Sequence, residues 1–327
     1  MWLIIGIILV ALIVALLLWY NVSPRSSNLS GIAPLPPGVV YMTTDISPNG
    51  LAAVYQALGV SPKGRIAVKI STGEPPNSNY LRPELIKDLV QSLDGTIVES
   101  NTAYGGSRAS SAMHYQVAKD HGFTAIADFD LQDANGSMKL PVAIGERLPE
   151  NYVGATFADY DYYVVLSHFK GHQMAGYGGA IKNISIGMAS AEGKRLIHSG
   201  GRSRGGLGYF LGFMGSQDNF LRSMAEAGKS VVDYLDGNIL YINVMNRLSV
   251  DCDCVGNPAE PDMHDIGILA SFDPVALDRA CIDLVEAAPD GASLMERINS
   301  RNGTLTLDHA AKIGLGSLAY NLVSVDG

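Results

Sequence analysis

The stretch "YYVVLSHFKGH", Tyr162–His172, decides the fold because an apolar run passes directly into polar and charged side chains. A short apolar run rich in β-branched and aromatic residues is typical of a strand buried on both faces. Similar runs that predict strands occur at Arg65–Ile70, Thr96–Glu99, Thr124–Phe129 and Ile239–Met245. Since helical patterns separate these runs, the sequence predicts an α/β fold with a mainly parallel sheet and helices on both faces.

Two of the predicted helices carry clear start signals. Pro83 suits a first helical position, and the apolar residues that follow it recur at helical spacing. Asp273 and Pro274 open a second helix, in which Cys281 lies on the apolar side and is expected in the core. His309 is likewise expected to be structural.

The N-terminal sequence predicts a membrane anchor followed by a flexible tether. Residues 1–20 contain no charged side chain, and about 20 apolar residues in a helix span a hydrocarbon core. A cleaved signal peptide would instead need a basic start and small residues at a cleavage site, and neither is clear. Residues 21–38 are rich in Ser, Pro and Gly, so 39–327 are expected to form a single α/β domain.

The chain is therefore expected to be a single-pass membrane protein. Arg25 follows the anchor and favours a cytoplasmic domain, and three cysteines do not suggest a disulfide framework. The net charge of −9 argues against a nucleic-acid partner.

Ligands of parallel sheets bind at the carboxyl ends of the strands, which places His168, Lys170 and His172 at a functional edge. His172 and Lys182 are the catalytic candidates, because imidazole moves protons and a desolvated lysine can act as a nucleophile. Cationic side chains can hold an anion or cofactor, and the candidates are Lys182, Lys194, Arg202, Arg204 and, after an earlier strand, Arg108. The alternative interpretation is a solvated surface loop.

A Cys-x-Cys pair follows the strand at Ile239–Met245. Cys252 and Cys254 could supply two thiolates to a metal ion or an iron–sulfur cluster, with His198 and His264 as further ligands. The alternative is a pair of ordinary thiols.

Several motifs resemble the DUF362 family, a family of unknown function. They are "HFKGHQMAGYGGAIKNISIG" (168–187), "DCDC" (251–254), "PDMHDIGILASFDPVALDRACIDLV" (261–285) and "HAAKIGLGSLAYNLV" (309–323). Some members are described as iron–sulfur proteins, often on account of a ferredoxin segment that this chain lacks.

A more distant resemblance connects His172, Lys182 and His198 to the nickel-pincer lactate racemases. In that family the corresponding residues are a catalytic acid/base, the lysine that carries the pincer nucleotide and a nickel ligand. The resemblance implies a nickel-pincer-type nucleotide as one possible cofactor, and His114 is a candidate for the second catalytic histidine. It favours a common fold and site more than a common reaction.

Three functions follow from these patterns. The first is a membrane-tethered enzyme that depends on a metal ion or an iron–sulfur cluster. It would catalyse a redox reaction or a proton or hydride transfer on a small anionic substrate. Such an enzyme would be an oxidoreductase or resemble a racemase or isomerase. The second is a non-catalytic metal-binding or electron-transfer module that serves a redox partner at the membrane. The third, a metal-free phosphate- or nucleotide-binding protein, is disfavoured because the glycines do not follow the usual phosphate-loop spacings.

Overall fold

The computed structural model describes residues 35–205 and 216–326. The predicted anchor at 1–20 and most of the predicted tether lie outside these residues. Within the described part of the chain, no helix combines the length and the apolar character that crossing a membrane requires.

The strands lie along the chain as follows: β1 Gly38–Thr43, β2 Ile66–Lys69, β3 Thr96–Glu99, β4 Phe129–Leu131, β5 Ser137–Pro141, β6 Glu150–Gly154, β7 Tyr162–His168, β8 Lys170–His172, β9 Gly176–Gly178, β10 Ile239–Met245, β11 Gly267–Ser271 and β12 Tyr320–Ser324. The helices are α1 Pro48–Ala57, α2 Pro83–Ser92, α3 Ser111–Asp120, α4 Ala180–Lys182, α5 Ala191–His198, α6 Gln217–Leu235, α7 Pro274–Ala287, α8 Ala292–Ser300 and α9 Leu305–Lys312. A π-helical turn, Asn183–Gly187, continues α4 directly.

An eight-stranded sheet in the order β12-β1-β11-β10-β7-β2-β3-β4 forms the centre of the fold. Its strands pair in parallel except for β11, which runs antiparallel to both β1 and β10. Two short hairpins, β5-β6 and β8-β9, lie outside it. The predicted α/β fold with a mainly parallel sheet is confirmed.

Helices cover both faces of the sheet, and alternate residues of each strand point to opposite cores. In β7, Tyr163 and Val165 face a core shared with α6, α7, α8 and α9. Val164 and Leu166 face the opposite core, which α1 and α2 complete. Because both faces are buried, these strands are apolar almost throughout, as the sequence indicated.

The strands predicted at Thr96–Glu99 and Ile239–Met245 have the bounds that the structure shows, and the strand predicted at Arg65–Ile70 extends one residue beyond β2 at each end. The strand predicted at Thr124–Phe129 was wrong. Phe123 begins a short 3₁₀ turn and is fully buried, and the strand itself starts only at Phe129. The helices predicted at Pro83 and after Asp273 begin as expected, and Asp273 Oδ1 accepts from the N–H groups of Val275 and Ala276.

The strand order also creates a switch point between β2 and β7. From β2 the chain continues to β3 and β4 on one side, and it then returns to β7 on the other side. In open parallel sheets, ligands bind in the crevice that such a reversal leaves at the carboxyl ends of the strands. Lys69 and His168, the last residues of β2 and β7, lie at this crevice.

Candidate active site

A pocket of about 120 Å³ opens at this switch point. That volume is several times the roughly 10–15 Å³ needed to hold one water molecule on this type of measure, so the pocket has room for a small ligand. The titratable and sulfur-bearing side chains that line it are Lys69, Glu99, Tyr104, Arg108, His168, Lys170, His172, Lys182, Lys194, His198, Cys252, Asp253 and Cys254.

Two sulfurs and an imidazole meet on one side of the pocket. The Sγ atoms of Cys252 and Cys254 and a ring nitrogen of His172 all lie within 4.8 Å of one another, so these three side chains could hold one metal ion. The two sulfurs are joined in a disulfide. A bonded pair cannot supply two thiolates, and metal binding at this position therefore requires the reduced cysteines.

The hydrogen bonds of His172 fix its neutral form. Nδ1 accepts from the backbone N–H groups of Met174 at 3.2 Å and Ala175 at 2.9 Å. Burial, together with the positive charge of Lys182, holds the pKa of His172 well below its usual range. Since Nδ1 must keep its lone pair, the ring proton lies on Nε2, and His172 is a neutral hydrogen-bond donor. A metal ion at Nε2 would have to replace that proton, so the two sulfurs are the better ligands.

His198 has the opposite arrangement. Its Nδ1 donates to the carbonyl oxygen of Lys194 at 2.6 Å, and the hydroxyl of Tyr104 lies 2.5 Å from Nε2. Burial lowers the pKa of His198 to about 3. Its Nε2 therefore has a lone pair that accepts from Tyr104. His198 lines the pocket but is not part of the group of three that could hold a metal ion.

Arg108 is bound by two carboxylates. Its Nε donates to Glu74 Oε2 at 3.1 Å and its Nη1 to Glu99 Oε1 at 2.9 Å. Burial by itself would raise the pKa of Glu99, but His114 and Arg108 hold that pKa well below its usual value. Arg108 is only 2 % exposed, and it contributes to the pocket wall with its charge balanced by these two carboxylates.

His114 contacts Glu99 and lies outside the pocket lining. Its Nε2 is 3.0 Å from Glu99 Oε2, and its Nδ1 is 3.2 Å from Asn101 Oδ1. With both nitrogens engaged in the fully buried ring, His114 positions Glu99.

Asp253, which lies between the two cysteines, binds a second group of pocket residues. Its carboxylate oxygens lie 2.7 Å from Lys170 Nζ and 3.0 Å from His168 Nδ1. Burial opposes ionisation of Asp253, but the charges of Lys170 and His168 outweigh it and lower the pKa of Asp253 strongly. The Cys-x-Cys segment is thereby connected to β8.

Three further lysines have no carboxylate partner among the described residues. Lys69 Nζ donates to Ile70 O at 2.6 Å and Asn183 Oδ1 at 3.0 Å, and Lys194 Nζ donates to Ala189 O at 2.5 Å. Lys182, on α4, makes no side-chain hydrogen bond or ion pair to any residue that the structure describes. Burial lowers the pKa of Lys69 to about 7 and the pKa values of Lys182 and Lys194 to about 8.

The start of α4, and so the position of Lys182, depends on Asp278. Its carboxylate accepts from the backbone N–H groups of Ala180 at 2.7 Å and Ile181 at 3.0 Å. Gly179 is required here, because a Cβ at this position would lie 2.3 Å from Asp278 Oδ1.

Three sequence candidates do not line the pocket. His264 is exposed and its Nδ1 contacts Asp290 at 2.7 Å, so it does not join the cysteines as a ligand. Arg204 is exposed and pairs with Glu192 at 2.8 Å. Arg202 is also exposed and does not line the pocket. Residues 199–205, which follow His198, do not line the pocket, so closeness in sequence to His198 does not bring either arginine to it.

Lys69, Glu99, Asp253 and Tyr104 line the pocket without having been selected from the sequence. Glu99 ends a predicted strand and Lys69 is the last residue but one of another, which is a signal in the sequence, since strand ends form the binding edge. Asp253 was overlooked because the flanking cysteines drew the chemical interpretation.

The fold and pocket define an α/β protein with a closely spaced sulfur pair and a cationic binding pocket at the switch point of its sheet. The sequence profile of the family described as "Domain of unknown function (DUF362)" matches residues 66–283, about two thirds of the chain. The chain belongs to this family. No curated protein sequence matches it.

Two solved structures are similar in part. The lactate racemase apoprotein from Thermoanaerobacterium thermosaccharolyticum is 16 % identical, with a TM-score of 0.41, over 65 % of this chain and 52 % of that one. A protein from Thermotoga maritima is 12 % identical, with a TM-score of 0.44, over 75 % of this chain and 60 % of that one. This chain thus spans less than two thirds of either protein.

Proposed function

We propose that the pocket is the active site of an enzyme that acts on a small anionic substrate and uses a metal ion bound by the reduced Cys252 and Cys254. The observation that supports this proposal is the meeting of the two sulfurs and five cationic side chains in one pocket. Separately, a sulfur pair or a cluster of lysines would be weak support for an enzyme. Together they provide both a reactive centre and the means to hold a charged substrate beside it.

The donor set suits a soft or borderline metal ion. Thiolates favour zinc, copper(I) or iron over magnesium and calcium. Cys254 is exposed, whereas Cys252 is only 6 % exposed, so an ion would enter from the side of Cys254. When bound, such an ion would polarise the substrate or exchange electrons with it.

The protein's own side chains would bind the anion and move protons. Lys182 has no competing partner among the described residues, and its pKa near 8 allows it to give or accept a proton close to neutral pH. His172, fixed as a neutral donor, would offer its Nε2–H to an oxygen of the substrate. These are the roles that we propose for the two catalytic candidates.

The disulfide favours a second candidate function. Cys252 and Cys254 are bonded in the structure, and a pair that cycles between disulfide and dithiol carries two electrons without a metal. The protein would then be a non-catalytic electron-transfer module for a redox partner.

Metal analysis of the full-length chain, purified anaerobically in a neutral detergent, separates these functions. The enzyme proposal predicts about one metal ion per chain, and serine at Cys252 or Cys254 should remove it. Cys281→Ala is the matched control, because Cys281 is buried in the core and should not affect metal content. Metal content unchanged in both serine variants would refute the enzyme proposal, whereas a metal-free chain that accepts two electrons would support the second function. The intact mass also tests the adduct on Lys182 that the lactate racemase resemblance implies.

We also propose that residues 1–20 hold the chain at a membrane, with the pocket on the cytoplasmic side. The uncharged stretch of 20 residues supports the anchor, and Arg25 supports the orientation. The full-length chain should fractionate with membranes after a high-salt wash, and protease added outside intact cells should spare it. Release of the chain by salt alone would contradict the anchor.

A further inference from the structure

The five cationic side chains of the pocket differ in how their charges are balanced. Arg108 lies against Glu74 and Glu99, and Lys170 lies against Asp253. Lys69, Lys182 and Lys194 have no ion pair within the described part of the chain. Lys69 and Lys194 donate only to neutral oxygen atoms, so each retains a full positive charge when protonated.

Nearby carboxylates balance these three lysines only in part. Glu99 is close enough to influence all three, but its oxygens are already bound by Arg108, His114 and Thr72. Asp253 acts on Lys182 from the other side and is bound by Lys170 and His168. Asp133 acts on Lys194, but its oxygens accept from the backbone N–H groups of Asn101 and Ala191.

A buried positive charge without a partner is unfavourable, and three of them around one pocket are more so. An anion in the pocket would remove this cost. We infer that the pocket takes a compact ligand that carries at least two negative charges, such as a phosphate group or a small dicarboxylate. This inference rests on the anion-binding pocket of the proposed function and specifies its substrate class. A single carboxylate would leave two of the three lysines unbalanced.

The lysines also predict proton uptake when such a ligand binds. Burial lowers the pKa of Lys69 to about 7 and those of Lys182 and Lys194 to about 8, so a fraction of them is neutral at pH 8. A multivalent anion favours the charged form of each lysine and raises these pKa values. Binding should therefore take protons from solution at pH 8 and fewer at pH 6.

Isothermal titration of the full-length chain in neutral detergent tests the inference. The probes are acetate with one charge, sulfate and malonate with two, and inorganic phosphate, all at constant ionic strength. Sulfate, malonate and phosphate should bind at least about tenfold more tightly than acetate, a factor that equals about 1.4 kcal/mol. Sulfate does not titrate near pH 8, so a dependence of its binding heat on the buffer's ionisation enthalpy reports protons taken up by the protein.

Lysine variants locate the binding site. Lys182→Met should weaken sulfate binding by about tenfold or more, and Lys69→Met should also lower the proton uptake. Lys139→Met is the control, since Lys139 is exposed, pairs with Glu150 and does not line the pocket. If a methionine variant does not fold, the comparison of acetate with sulfate, malonate and phosphate on the unaltered chain still tests the inference.

The outcomes separate the inference from the proposed function. Equal affinity for acetate and sulfate would overturn the inference and leave an anion-binding enzyme intact. Equal weakening by Lys139→Met and Lys182→Met would assign binding to general surface charge and overturn the inference as well. If no anion binds, with or without added metal ion, both the inference and the proposed substrate class fail. Stronger binding of malonate than of phosphate, or the reverse, identifies which dianion the pocket prefers.

Discussion

Lys170 Nζ lies 2.7 Å from Asp253 Oδ1 in a buried ion pair, and this contact fixes the Cys-x-Cys segment against β8. Asp253 is the residue between the two cysteines, so the pair also determines where the sulfurs lie relative to His172. The metal-binding group of side chains therefore depends on an ion pair that itself binds no metal.

Replacement of Asp253 by asparagine should destabilise the protein by about 3–5 kcal/mol, because it leaves the buried ammonium of Lys170 without its carboxylate. Denaturant unfolding measures the change. Lys139→Gln, which breaks an exposed ion pair with Glu150, is the control and should cost no more than about 1 kcal/mol. Similar decreases in the free energy of unfolding in the two variants would show that the Lys170–Asp253 pair stabilises the protein no more than an exposed ion pair does.

Ionisation of Asp278 should lower the stability of the protein as the pH rises, which is the opposite of the usual effect of a carboxylate in a folded protein. Burial raises the pKa of Asp278 to about 6 from an ordinary value of 3.8, so the folded state binds a proton more tightly than the unfolded state. The contribution of Asp278 to stability is therefore largest below pH 4 and declines by up to about 3 kcal/mol as the pH rises from 4 to 6.

Asp278→Asn should abolish this decline, since asparagine does not titrate. Unfolding free energies of both proteins at several pH values between 4 and 7 test the sign. The unfolding free energy of the wild-type protein should fall relative to that of the variant as the pH rises. The opposite trend would refute the raised pKa of Asp278.

Gly179→Ala should destabilise the protein and displace Lys182. The new Cβ would lie 2.3 Å from Asp278 Oδ1, and overpacking of this kind costs about 1–3 kcal/mol. Gly205→Ala is the matched control, because no atom of the described residues lies within 4 Å of the Cβ that it would add. Thermal unfolding measures stability, and sulfate titration reports the position of Lys182. If Gly179→Ala has the thermal stability and sulfate affinity of the wild type, α4 can move away from Asp278 without a cost in either.

Two of the three histidines that line the pocket, His172 and His198, should be neutral and carry their protons on different nitrogens. ¹⁵N NMR of labelled protein should find the proton of His172 on Nε2 and that of His198 on Nδ1, since their backbone partners require it. Burial lowers both pKa values, so neither signal should change between pH 8 and pH 5. His172→Gln and His198→Gln assign the signals, and a proton on Nδ1 of His172 would make that ring a good Nε2 metal ligand and contradict our assignment.

The sequence predicted the central strands and the binding edge but not the composition of the pocket. Ile239–Met245 and most of β7 were predictable because both faces are buried, which produces an unbroken apolar run. The antiparallel β11 was not predicted, because its direction depends on pairing with β1 and β10. A lysine at the end of a strand looks solvent-exposed in the sequence, whereas Lys69 is buried because β2 lies between β3 and β7 and the π-helical turn contacts its Nζ.

The cysteine segment illustrates the same limit. The spacing of Cys252 and Cys254 predicts a pair of ligands, and closeness in sequence favours His264 as a further one. In the fold, the chain between them leads towards β11, and His264 ends at the surface beside Asp290. His172, about 80 residues earlier, lies close instead. Ligands contributed by separate strands become visible only when the order of the strands is known.

X-ray absorption at the zinc edge, on reduced full-length chain loaded with one equivalent of zinc, tests whether Cys252 and Cys254 bind a metal ion. We expect two sulfur scatterers at about 2.3 Å, their loss when Cys252 and Cys254 are replaced by serine, and no zinc binding at this site in the disulfide form. Zinc bound by the reduced chain without sulfur scatterers, or bound equally well by the disulfide form, would contradict this expectation.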